Sequence, residues 1–329
     1  MFESLLSSEA LILISILLAP WVLFALFAAF GDACVGFVDE WLLDNLSSDQ
    51  EDSANAPGKL LLISGFFGFV VALGALLIAY VIPGLELDYS TAAFDLAILA
   101  GIIEILWLIP YFYALNQGGA VNTTPLFQSI PIFALVIGIF LFDEIPTLIS
   151  LVAVGSIIAG AFVLNYSNEL RKINYASIGL MFVASALIAL GLFVFKEAEA
   201  QSNFVTAVIG NGIGMGITSI IIWLVHPIYR QQFNSFVAKF DRKVLAGQFA
   251  NETLYSASAL SGQMAVVLGP SVMVVSAFNA FHPIFTFIIG WTLAKFGSKT
   301  HQKTLQPTEI KSKLIGVLLI ALGAVLIVL

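Results

Sequence analysis

The chain has 329 residues, a mean hydropathy of +1.00, 60% hydrophobic residues and only 10% charged ones. Soluble domains carry about 25% charged residues, so this composition excludes a water-soluble globule. The formal net charge of −8 draws largely on acids between Asp32 and Asp52, read as a loop, and gives no basic footprint for a nucleic-acid partner. The single cysteine, Cys34, excludes an internal disulfide framework and a thiolate metal cluster, and no cofactor motif accompanies it.

Apolar runs of about 20 residues recur along the chain, each long enough as a helix to cross the ~30 Å hydrocarbon core. They are continuous and lack the period of two that marks a membrane barrel. The expected fold is an all-α integral membrane protein with ten spans, at 11–38, 60–82, 95–115, 119–142, 147–165, 176–196, 204–226, 244–267, 271–294 and 313–329. The first run is too long for one span and too short for two, so its register slides between 11–38 and Pro20–Leu43. The N-terminal MFESLLSSEALILISILLAP has two acids and no Lys or Arg ahead of its apolar run. It is read as retained rather than as a secretory leader.

The chain also matches itself. Offset by 152 residues, QSIPIF (Gln128–Phe133) falls on AFHPIF (Ala280–Phe285), and Gly138 and Leu141 fall on Gly290 and Leu293. AVGSIIAGAFVL (Ala153–Leu164) resembles GVLLIALGAVLI (Gly316–Ile327), and FVDE (Phe37–Glu40) resembles VFKE (Val194–Glu197). Two five-helix repeats are expected, 1–167 and 168–329. An odd number of spans per half inverts the second against the first, and inverted repeats place a binding site near the midplane between them.

The stretch YALNQGGAVNTTPLFQSIPIFALVIGIFLFDEIPTLISLVAVGSIIAGAFVLNY (Tyr113–Tyr166) closes the third helix with Ala-Leu and carries a proline within the fourth. Asp143 and Glu144 follow, then a glycine-rich fifth helix. In this it resembles the EamA-like, ten-helix members of the drug/metabolite transporter superfamily. The second half repeats the pattern in NETLYSASALSGQMAVVLGPSVMVVSAFNAFHPIF and KLIGVLLIALGAVL. It departs at AKFGSK (Ala294–Lys299), which has no acidic counterpart of Glu144. The resemblance implies membrane transport of small metabolites.

Ionisable groups at bilayer depth cost at least about 2.5 to 3.5 kcal/mol and usually face a cavity or a partner. Glu104 lies near the middle of the third span, with Trp107 and Tyr111 on the same helical face. The corresponding helix of the second half carries Asn251, Glu252 and Tyr255, and EILW (Glu104–Trp107) matches ETLY (Glu252–Tyr255) after a one-turn shift of the offset. A carboxyl in low dielectric exchanges protons closer to neutral pH, which suits coupling to a proton gradient. Glu104 and Glu252 are therefore the candidate proton-coupling residues; the competing reading is a plain interhelical hydrogen bond. The substrate cavity is expected from Trp107, Tyr111, Thr124, Gln128, Asn251, Tyr255, Asn279 and His282. Ser276, Asn279, His282 and Thr286 form a stripe, and Pro283 is expected to kink the ninth span. His282 fits a packing histidine and a site residue equally, as Gln128 fits packing and substrate binding. Gly210, Gly212, Gly214 and Gly216 read as a close helix-helix contact.

Ten spans put both termini on one side. The opposite side collects Lys59, Arg171, Lys172, Arg230, Lys239, Arg242, Lys243, Lys295, Lys299, Lys303, Lys311 and Lys313, against Lys196 alone. The positive-inside rule then places the termini outside, whereas the resemblance implies cytoplasmic termini. The leading functional expectation is a multi-pass secondary transporter of the plasma or inner membrane. It would move a small metabolite, amino acid or drug-like molecule by alternating access, coupled to protons or by exchange. The expected partners are that small molecule, the lipid bilayer and protons, with the oligomeric state open. The alternative is an integral-membrane enzyme acting on lipid or isoprenoid-phosphate head groups, for which the clustered interfacial Asp, His or Arg residues are missing.

Overall fold

The computed structural model describes residues 19–46, 56–118, 123–165, 175–238, 242–295 and 307–328, all of whose regular structure is helical. In chain order the helices are α1 (Pro20–Leu46), α2 (Ala56–Val81), α3 (Thr91–Gly118), α4 (Ile130–Leu141), α5 (Leu148–Asn165) and α6 (Tyr175–Ala200). There follow α7 (Phe204–Val225), α8 (Pro227–Ala238), α9 (Arg242–Leu268), α10 (Val272–Ala277), α11 (His282–Lys295) and α12 (Pro307–Val328). Short 3₁₀ turns at Thr124–Ser129 and Phe278–Phe281 lead into α4 and α11.

Among the described residues six helices are long and apolar enough to cross a membrane: Pro20–Leu42, Gly58–Val81, Thr91–Gln117, Tyr175–Ala200, Phe204–Val225 and Val272–Gly290. Leu126–Leu141, Leu148–Ala161 and Ile315–Leu326 are shorter apolar helices. The expected span 244–267 falls on α9, whose 27 residues reach about 40 Å but carry Gln248, Asn251 and Glu252 among the apolar residues. The first helix takes the later of its two registers, so the stretch from Asp32 to Asp44 is helix rather than acidic loop. The start of the first expected span, residues 11–18, and the N-terminal acids lie outside the described residues.

The chain divides into two compact units. One comprises 35–127 and 172–260; the other comprises 1–34, 128–171 and 261–329. Neither coincides with the sequential halves 1–167 and 168–329, because each unit draws helices from both. In the first unit α3 packs along α6 and α7, and α2 along α7. The glycines of α7 permit that approach: a Cβ at Gly214 would stand 2.1 Å from the Ile98 carbonyl oxygen, and one at Gly212 2.4 Å from that of Gly68. Asn203 caps α7 by accepting the Thr206 amide at 2.9 Å.

Helix α8 lies where the sequence reading left a loop. Its Tyr229 and Gln232 are buried, and Tyr229 donates to the Tyr113 hydroxyl at 3.2 Å. Burial, and then the Tyr113 hydroxyl, push the Tyr229 phenol above its ordinary pKa. Lys59, counted above as a loop cation, is buried within α2.

In the second unit α5 packs along α12, and Trp21 meets Phe278 edge-on at 5.1 Å between centroids. Pro283 is the second residue of α11, where its missing N–H breaks no bond. The interruption is the 3₁₀ turn before it, which corrects the expectation of a proline kink inside a continuous span. Asp143 adopts a left-handed φ of 53° just past α4, and the Glu144 amide returns to the Gly138 carbonyl at 2.9 Å. That is a helix-terminating arrangement, which a short polar side chain tolerates.

A buried carboxyl-amide-aromatic cluster

Four helical segments of the first unit bring polar groups together: the end of α1, the first turns of α2, the middle of α3 and the N-terminal half of α9. Asp39, on α1, is 4% exposed and is held from both sides. Asn251 Nδ2 donates to its Oδ1 at 2.7 Å, and the Tyr111 hydroxyl donates to its Oδ2 at 3.0 Å. Glu252 is likewise buried, and its Oε1 accepts from Ser64 Oγ and from Gln248 Nε2, each at 2.6 Å. Asp39 and Glu252 lie within coulombic reach of each other. Three residues on from Glu252, Tyr255 hydrogen-bonds through its hydroxyl to Glu104 Oε1.

The helical repeat explains this convergence. Gln248, Asn251, Glu252 and Tyr255 stand at i, i+3, i+4 and i+7 and so share one face of α9. Glu104, Trp107 and Tyr111 share one face of α3 by the same spacing. Trp107 joins the two faces, with its ring centroid 5.5 Å from Tyr111, 6.5 Å from Tyr255 and 6.3 Å from Phe127. Tyr111 also meets Phe127 at 5.5 Å. Trp107 and Tyr111 belong to a buried apolar cluster that includes Leu42, Leu60, Leu61, Leu62, Ile105 and Leu108. Every buried carboxyl here has a hydrogen-bond donor, as burial of such a group demands.

The structure thus joins Glu104, Trp107, Tyr111, Asn251, Glu252 and Tyr255 into one constellation within one unit. The sequence reading missed Asp39, Ser64 and Gln248. Gln248 was accessible to it, one turn before Glu252 on the same face; Asp39 was hidden among acids assigned to a loop.

Gln128, Asn279 and His282 belong to the other unit. There Gln128 Nε2 donates to the Asn279 carbonyl at 3.3 Å, and Gln128 and His282 are both buried. Thr124 opens the 3₁₀ turn, and its side chain lies outside the described residues. Ser276 and Thr286 spend their hydroxyls on the carbonyls of Met273 and His282, at 2.9 Å each, so these two members of the expected polar stripe turn onto their own backbone.

Residues 19–166 match the EamA-like transporter family, a family of membrane transporters, which accords with the drug/metabolite transporter resemblance. No curated protein matches the chain. A crystal structure of another protein is similar in fold, at 14% identity and a TM-score of 0.55, over 89% of this chain and 95% of that one. With the apolar helices already described, the family match makes the chain a multi-pass membrane protein.

Proposed function

From the EamA-like match over residues 19–166 we propose that the chain is a secondary transporter of the cell membrane, carrying a small metabolite, amino acid or drug-like molecule by alternating access. The observation that carries this reading is the Asp39, Glu104 and Glu252 cluster, joined through Asn251, Tyr111 and Tyr255 on helices drawn from both halves of the chain. A soluble enzyme buries carboxyls for chemistry; within a membrane helix bundle they mark an ion or substrate path.

Two features favour ten spans in inverted repeats. The helices α4 and α11 begin at Ile130 and His282, 152 residues apart (282 − 130), each after a 3₁₀ turn and each with proline as its second residue. In addition α2 packs on α7, and α5 on α12, pairs that hold the second and fifth places of their halves. Glu104 and Glu252 serve as proton-coupling residues, because each is reached by a hydroxyl donor, with Glu252 buried and Glu104 half-buried. Trp107, Tyr111 and Tyr255 offer aromatic faces beside the acids, which favours a cationic or zwitterionic substrate. Asn251 completes the substrate-facing candidates of this unit; Gln128, Asn279 and His282, expected to serve the same role, lie in the other unit.

The test is purified protein in proteoliposomes, screened with amino acids, nucleosides and organic cations with and without an imposed pH gradient. Gradient-driven uptake of one class, lost in Glu104→Gln and Glu252→Gln while both variants remain folded, carries the proposal. Uptake that ignores both the gradient and the two substitutions removes the coupling role.

A further inference from the structure

We propose that Asp39, Gln248, Asn251 and Glu252 form a binding site for a bare monovalent metal cation of about sodium's size. The cluster offers oxygen where hydrogen-bond donors have run out. Asn251 directs its amide N–H to Asp39, and Gln248 directs its own to Glu252. Their carbonyl oxygens, Asn251 Oδ1 and Gln248 Oε1, are buried and have no hydrogen-bond partner among the described residues. The two residues are 3% and 2% exposed, so water does not satisfy these atoms from outside. Turning either amide over gives no relief, since it would set the amide oxygen against the carboxyl that its nitrogen now serves. Both donors to Glu252 fall on Oε1, which leaves Oε2 as a third acceptor.

Amide and carboxyl oxygens suit a hard cation. The donor set here is two carboxyls plus two neutral amide oxygens; two carboxyls held close together keep one proton between them, which leaves one negative charge to match a single positive one. The enclosure argues for an ion that sheds its water over an alkylammonium that brings carbon with it: Asp39 and Glu252 are 4% and 2% exposed. Three of the four ligands lie on one face of α9 and the fourth on α1, so an ion here would tie those two helices together. The site is argued from the cluster alone and holds whether or not the chain transports.

The test uses the full chain in detergent at constant ionic strength, with choline chloride exchanged stepwise for NaCl, KCl or methylammonium chloride, and thermal unfolding as the readout. Binding raises the midpoint in a saturable way with NaCl, since a ligand held by the folded state stabilises it by mass action. In Asn251→Leu and Gln248→Leu the NaCl concentration giving half the rise increases at least about tenfold, the scale on which metal sites respond to lost ligands and their supports. Ser219→Ala, which removes a buried hydroxyl outside the cluster, keeps the wild-type response. If the leucine variants do not unfold cooperatively, Asp39→Asn and radioactive sodium binding to wild type replace them. Equal midpoints in sodium and choline, equal rises with every cation, a rise with methylammonium alone, or no displaceable sodium binding each overturn the proposal.

Discussion

Asn251 on α9 hands its amide hydrogen to Asp39 on α1 across 2.7 Å and 212 positions of sequence. Asn251→Leu keeps the branched shape and the number of heavy atoms and removes the donor, leaving a buried carboxyl with Tyr111 alone. A hydrogen bond to such a group contributes about 1.5 to 3 kcal/mol, and the variant is expected to lose that much. The exchange Asp39→Asn with Asn251→Asp rebuilds the pair in reverse and recovers most of the loss, measured as thermal midpoints in detergent. Additive losses in the double variant count against a direct bond.

Tyr255→Phe removes the hydroxyl that reaches Glu104 while leaving the ring against Trp107. If Glu104 exchanges the coupling proton through this contact, the pH profile of uptake shifts while substrate affinity measured without a gradient stays within about twofold, a change of under 0.5 kcal/mol. A profile superimposable on wild type assigns the tyrosine to packing.

Close approach of α3 and α7 predicts a steric asymmetry among glycines. A Cβ at Gly101 would stand 1.9 Å from the Asn211 carbonyl oxygen, and one at Gly214 2.1 Å from that of Ile98. Gly101→Ala and Gly214→Ala are expected to cost about 1 to 3 kcal/mol each through overpacking. Gly74→Ala, where nothing lies within 4 Å, is expected to be neutral or to gain up to about 1 kcal/mol. Equal effects at all three positions, by thermal unfolding, contradict the packing described.

The Tyr229 phenol is held above its ordinary pKa by burial and by Tyr113. Such a group stays protonated in the folded state while its unfolded counterpart ionises near pH 10, so the folded state binds more protons there. Its contribution is complete below about pH 10 and is lost as the pH rises beyond it. Wild type should therefore lose stability faster than Tyr229→Phe between about pH 10 and 11, in paired melts. Parallel slopes would mean the phenol is solvated.

The composition, the run lengths and the 152-residue offset were sufficient to identify a helical membrane protein, and the i, i+3, i+7 spacing put Glu104, Trp107 and Tyr111 on one helix face, with Glu252 and Tyr255 expected as their counterpart. These signals are local: a helix face is fixed by its own 3.6-residue period, and an acid in an oily run stands out against its neighbours. Asp39 was invisible for the same reason, since its neighbours Glu40 and Asp44 are also acids and nothing local separates a buried carboxyl from a solvated one.

Only tertiary packing decided which acid pairs with which amide. Packing drew the end of α1, α2, α3 and most of α9 into one unit and left Gln128, Asn279 and His282 in the other. Within the cluster it also left the Asn251 and Gln248 amide oxygens without a hydrogen-bond donor among the described residues, because each amide turns its nitrogen toward a carboxyl and its carbonyl must then face whatever the neighbouring helices bring. The sequence by itself determined the solvent and the faces of this protein; the contacts between distant helices decided the chemistry those faces share.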